Sequence, residues 1–156
     1  MKYFVVRHAQ TDANRITRAA FGVEGAPIND TGKEQAKSLK RILLEKGIDP
    51  ETEPVAVSEL LRARQTAEVA GFKRIFINGL LNEVNADNPE KTLDLISQAK
   101  VPEMAARAAQ ALIANPPSEQ VWVTHGLLIA ALESELGISN MDKFIPDYCE
   151  VREIEF

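Results

Sequence analysis

Cysteine, histidine and tryptophan are scarce in this chain, with one, two and one copies in 156 residues, and each scarcity narrows what the protein can be. The lone Cys149 has no partner for an intrachain disulfide, and one cysteine with two histidines does not supply the spacing of a zinc finger. A reducing, cytoplasmic setting is predicted. Long apolar runs are missing too: nothing approaches the roughly 18 residues that a membrane span needs. The N-terminal run Tyr3-Phe4-Val5-Val6 stops at Arg7, too soon for the apolar core of a signal peptide. No membrane partner is expected. Positive charge is also in deficit, with 18 Lys and Arg against 23 Asp and Glu and a formal net charge of -5. A nucleic-acid partner is therefore not expected, and any arginine that binds phosphate must be placed by the fold.

The apolar residues, 45% of the chain, fall into short strand-like runs separated by amphipathic stretches, enough for one core. Tyr3 to Val6, Pro54 to Val57, Arg74 to Ile77 and Val121 to Thr124 read as short strands, two of them as uninterrupted as strands covered on both faces. Between them, Thr31 and Glu34 have capping-box spacing and predict a helix over about 32–46, with Ala36, Leu39 and Leu43 on one face. Ser58 is placed to cap the helix that carries Leu61, Gln65 and Val69, which puts Arg62 in a first turn. Further helices are predicted over about 89–99, 102–114 and 127–136, and the end from Cys149 to Phe156 suits an edge strand. The alternation predicts a three-layer α/β/α sandwich with a mostly parallel central sheet and an antiparallel edge strand.

Both histidines directly follow an apolar run, in Phe4-Val5-Val6-Arg7-His8 and Val121-Trp122-Val123-Thr124-His125. Carboxyl ends of parallel strands line the crevice where ligands bind in open α/β sheets, so His8 and His125 are expected to face one pocket, with Arg62 on the same edge. Guanidinium groups repel a divalent cation and donate paired N–H groups to an oxyanion, so no metal is expected and a phosphate is. A neutral imidazole held through one nitrogen offers the other as a nucleophile.

Val6-Arg7-His8-Ala9-Gln10-Thr11 resembles the Arg-His-Gly opening of the histidine phosphatase superfamily, which includes the cofactor-dependent phosphoglycerate mutases. Pro27-Ile28-Asn29-Asp30-Thr31-Gly32-Lys33-Glu34-Gln35-Ala36, Ser58-Glu59-Leu60-Leu61-Arg62-Ala63-Arg64-Gln65-Thr66-Ala67 and Thr124-His125-Gly126 resemble its later segments, in family order. The resemblance implies His8 as the nucleophile that becomes phosphohistidine. It implies Arg7, Asn14, Arg62, His125 and Gly126 around the phosphate, and Glu83, with Asp87 in reserve, as proton donor to the leaving group. Ala9 departs from the family's Gly, which is harmless only if its φ is negative. Arg64 is expected to be a solvated surface charge.

The expectation is one domain over 1–156 with a small cap over about 84–117. Its function would be a metal-independent phosphatase needing no cofactor and acting on a phosphorylated small molecule or a phosphoprotein. The alternatives are a phosphoglycerate mutase-type phosphotransferase and a non-catalytic phosphate-binding module.

Overall fold

In a computed structural model, residues 1–12, 25–84, 88–138 and 143–156 are described, and they form a five-stranded sheet between two helical layers. Strands β1 (Lys2–Arg7), β2 (Pro54–Val57), β3 (Arg74–Ile77), β4 (Val121–Thr124) and β5 (Val151–Glu155) stand in the order β3-β2-β4-β1-β5. All neighbouring pairs are parallel except β1 with β5, which is antiparallel. This is the expected architecture, with the antiparallel edge at the chain's close.

Side chains along a strand point to alternate faces, and the two cores follow that period. Phe4, Val6, Val55, Val57, Val121 and Val123 face one layer, made by α1 (Asp30–Glu45) and α2 (Leu61–Val69). Tyr3, Val5, Ala56 and Trp122 face the other, made by α4 (Glu103–Ala114) and α5 (Gly126–Glu135), with Ile96 of α3 (Pro89–Ser97) packed beside it. Of the segment 84–117, α4 belongs to this core layer, with Ala105, Ala109 and Leu112 fully buried. The other described helix of that segment is α3. Among the described residues no helix is long and apolar enough to cross a membrane.

Two predicted caps are corrected. Helix α1 starts two residues before the expected capping box: Asn29 Oδ1 accepts from the Gly32 N–H at 2.8 Å, while Asn29 Nδ2 donates to Gln10 Oε1 at 3.0 Å. The cap is thus tied to the loop after β1, a link that Thr31 does not make. Gly32 is needed at this junction because a Cβ there would lie 2.3 Å from the Gln10 carbonyl oxygen. Helix α2, in turn, has no side-chain cap, since Ser58 Oγ accepts from Leu60 N–H in the turn before it.

Candidate active site

The parallel pairing of β1 and β4 aligns Arg7 with Thr124, so the next residues, His8 and His125, leave the sheet side by side. The His8 N–H donates to the Thr124 carbonyl at 3.0 Å, and the two ring centroids are 5.2 Å apart. Both rings are almost wholly buried. On the other side of β4, β2 aligns Val57 with Val123, which sets Ser58 beside the same strand end and starts α2 close by. Arg62, on the first turn of α2, is 3% exposed. The two distant histidines and the two arginines therefore do meet.

The loop carrying His8 is held from below by residues of the motif segments. The Ala9 N–H donates to Thr66 Oγ1 at 2.8 Å, and that hydroxyl donates to the Arg62 carbonyl at 2.7 Å. Gln35 Oε1 accepts from Gln10 N–H, and Gln65 Oε1 accepts from Ile28 N–H, both at 2.9 Å. Ala9 is fully buried and its φ is not positive, so the replacement of glycine costs no backbone strain.

His8 Nδ1 lies 2.7 Å from the Ala9 carbonyl. A carbonyl only accepts, so Nδ1 carries the hydrogen and Nε2 keeps its lone pair. Burial, with Arg7 and Arg62 nearby, pulls the His8 pKa down to about 3 against the opposing Ala9 hydrogen bond, which keeps the ring neutral and nucleophilic. His125 is shifted the same way by burial, then by His8, Arg62 and Arg7, and its Nδ1 is buried without a hydrogen-bond partner among the described residues.

Arg7 is fixed in place. Its Nη1 donates to the Pro146 carbonyl at 2.8 Å and its guanidinium lies 4.1 Å over the Tyr148 ring, a cation–π contact. Its Nε is buried with no hydrogen-bond partner among the described residues. Gly126, the first residue of α5, makes this packing feasible: a Cβ there would sit 2.7 Å from Ile145 Cγ2 and 3.0 Å from Arg7 Nε.

Glu83 follows the 3-10 turn Gly79–Leu81, and the Leu81 carbonyl accepts from the buried Thr124 hydroxyl, which ties that segment to the end of β4. The residue is half-buried but its carboxyl end is enclosed. Oε1 accepts from the Val84 N–H at 3.0 Å. Burial raises its pKa, outweighing the pull of the Val84 and Leu127 N–H groups and of Arg62 and Arg7. Such a carboxyl holds its proton to higher pH than an exposed one.

Asn14 and Asp87 lie outside the described residues. Arg64 corrects the sequence reading: it is half-buried, with Nε enclosed and lacking a hydrogen-bond partner among the described residues. Cys149 is a buried thiol whose pKa burial pushes up to about 12, which disfavours the reactive thiolate, and its N–H donates to the Arg7 carbonyl at 2.9 Å. Sequence reasoning missed Tyr148 at the site, since an aromatic near the C-terminus carries no local signal, and it assigned Ser58 to the wrong task. Among the described residues no three His, Cys, Asp or Glu side chains gather as a metal-ligand set.

A match to the family described as the histidine phosphatase superfamily (branch 1) runs over residues 3–104. The chain belongs to that superfamily. The matched stretch contains Arg7, His8, Arg62 and Glu83, while His125 and Gly126 lie beyond it and reach the site through the pairing of β1 with β4. A broad-specificity phosphatase of Saccharomyces cerevisiae is 38% identical over 66 residues, which are 42% of this chain and 27% of the yeast protein. Two solved structures share the fold across nearly the whole chain. A phosphoglycerate mutase from Thermus thermophilus has a TM-score of 0.75 and 23% identity, covering 100% of this chain and 94% of its own. A mycobacterial glucosyl-3-phosphoglycerate phosphatase complexed with VO3 has a TM-score of 0.69 and 19% identity, covering 99% and 90%.

Proposed function

We propose that this superfamily member is a metal-independent phosphatase that passes its substrate's phosphoryl group through His8. The observation that carries this reading is the wiring of His8: Nδ1 is held by the Ala9 carbonyl, leaving the lone pair of Nε2 in a buried setting beside two arginines. In the first step Nε2 attacks phosphorus, the bond from phosphorus to the ester oxygen breaks, and the Glu83 carboxyl gives its proton to the departing oxygen. In the second step Glu83, now a carboxylate, takes a proton from water as that water attacks phosphohistidine, releasing phosphate and regenerating both residues.

Arg7, Arg62, the His125 ring and the backbone N–H groups opening α5 at Gly126 surround the phosphoryl oxygens in this reading, and their charge is already in place before transfer begins. Two guanidinium groups take the role that a metal cation has in other phosphoryl-transfer sites, so EDTA is expected to leave the rate unchanged. With α4 engaged in the core, α3 is the other described helix of the segment expected as a cap, which favours an accessible site for a small phosphate ester or a phosphoprotein. A lone buried thiol needs no oxidising compartment and suits the cytoplasm.

The test is hydrolysis of p-nitrophenyl phosphate by wild type and His8→Ala, with acid-labile phosphohistidine trapped by rapid quench. Wild type is expected to turn over and form the adduct. His8→Ala is expected to fall to background. Full turnover by His8→Ala would remove the nucleophile assignment. Isomerisation of 3-phosphoglycerate would favour a mutase, and phosphate binding without turnover a regulatory module.

A further inference from the structure

The two imidazoles at the site are held through different nitrogens by different kinds of partner. His8 Nδ1 bonds to a carbonyl, which can only accept, whereas His125 Nε2 lies 2.8 Å from the hydroxyl of Ser58, which can donate or accept. Ser58 is itself immobile. It is fully buried at the end of β2, its N–H donates to the Val123 carbonyl at 3.2 Å, and its Oγ accepts from the Leu60 N–H at 3.0 Å.

A hydroxyl has one hydrogen, and for Ser58 no acceptor other than His125 Nε2 is in reach among the described residues. From this we propose that Ser58 is a positioning residue: it donates to His125 Nε2, places the ring hydrogen on Nδ1, and makes the second imidazole a hydrogen-bond donor to the phosphoryl group. This inference rests on the phosphatase reading above for the identity of the anion, but the tautomer is a property of the protein alone.

The opposite wiring has two costs. If His125 Nε2 carried the hydrogen and donated to Ser58, the buried Ser58 hydrogen would have no acceptor, and Nδ1 would turn a lone pair toward an oxyanion. Nδ1 is buried and without a hydrogen-bond partner among the described residues, as expected of a donor kept for a ligand. The ring is held neutral by burial beside His8, Arg62 and Arg7, so it has one ring hydrogen and its location matters. The outcome is a matched pair, with a nucleophilic lone pair on Nε2 of His8 and an N–H on Nδ1 of His125.

With only two histidines in the chain, long-range proton–nitrogen correlation spectra of 15N-histidine-labelled full-length protein contain two ring systems, assigned with a His125→Gln variant. At neutral pH, with and without orthovanadate, both rings of wild type are expected as Nδ1–H tautomers. Ser58→Ala is expected to move His125 toward Nε2–H, leave His8 unchanged, and lower kcat by about 10- to 100-fold with little change in KM, less than the loss of a whole oxyanion donor. Ser58→Cys, which keeps a weak donor, is expected to fall between the two.

An Nε2–H tautomer at His125 in wild type would overturn the proposal whatever the variants do, so it stays decidable if Ser58→Ala fails to fold. An unchanged His125 tautomer in folded Ser58→Ala would overturn it as well. Wild type that is inert toward p-nitrophenyl phosphate but shows the Nδ1–H pattern would keep the tautomer assignment and remove the phosphatase reading alone.

Discussion

The centre of the sheet and its β3 edge are built from similar sequence and have opposite fates. Val121-Trp122-Val123-Thr124 in β4 is buried along its whole length, whereas in Arg74-Ile75-Phe76-Ile77 of β3 the side chains of Phe76 and Ile77 are 48% and 52% exposed. Strand β4 has β1 and β2 beside it and helices over both faces. Among the described residues strand β3 pairs only with β2. Burial is thus decided by place in the strand order, and the polar groups of the candidate site lie where burial is greatest. Arg7, His8 and His125 all sit at the ends of the two central strands, where packed apolar residues below hold charged and polar groups that would otherwise stay in water.

Substitutions divide along the same line. The largest effect on stability is expected from Trp122→Ala, which empties the middle of one core and should cost about 3–5 kcal/mol in urea unfolding. A cost under about 1 kcal/mol would mean that the centre is not the structural support it is taken to be. Close behind, Arg62→Ala should lower kcat for p-nitrophenyl phosphate by about 100- to 1000-fold, equivalent to about 3–4 kcal/mol of barrier. Near wild-type turnover in that variant would separate α2 from the chemistry.

Acid should weaken the centre specifically. His8 titrates near 6.5 when unfolded and at about 3 in the fold, so between those values the unfolded chain binds a proton that the native one refuses. Stability therefore rises with pH across that window, by about 1.4 kcal/mol per pH unit for each such histidine, and is fully regained above the unfolded value. Glu83, with its raised pKa, acts in the opposite sense, its contribution being lost as pH rises through the folded value. Urea titrations at pH 7.5 and 5.5 in a Glu83→Gln background isolate the histidine effect. Lower stability at pH 5.5 is expected, and equal stability at both would show that the rings are not held neutral. The smallest effect belongs to the edge: Phe76→Ser should change stability by no more than about 0.5 kcal/mol, since its ring already meets solvent.

Much of this was legible in the residues, and what was not has a common cause. Arg7, His8, Arg62 and His125 stand out because each directly follows a strand-like run or sits in a family segment, and short-range pattern reports both. Ser58 was visible and misassigned, because a serine before a helix reads as a cap until a histidine 67 residues away arrives beside it. Asn29 and Thr31 show the same limit on a smaller scale: both suit a helix start, and only Asn29 also reaches Gln10. Helical geometry alone predicts a solvated Arg64 and does not reveal that its Nε is enclosed.

Periodicity and motif spacing were enough to determine the layered α/β architecture and the family, because these depend on residues near one another in the chain. Tertiary structure alone decided which strands lie at the centre, which partner holds each imidazole and by which nitrogen, and how far burial lowers their proton affinity. Hydrogen-bond partners and desolvation are set by atoms that meet in space, and no local stretch of sequence contains both sides of such a contact.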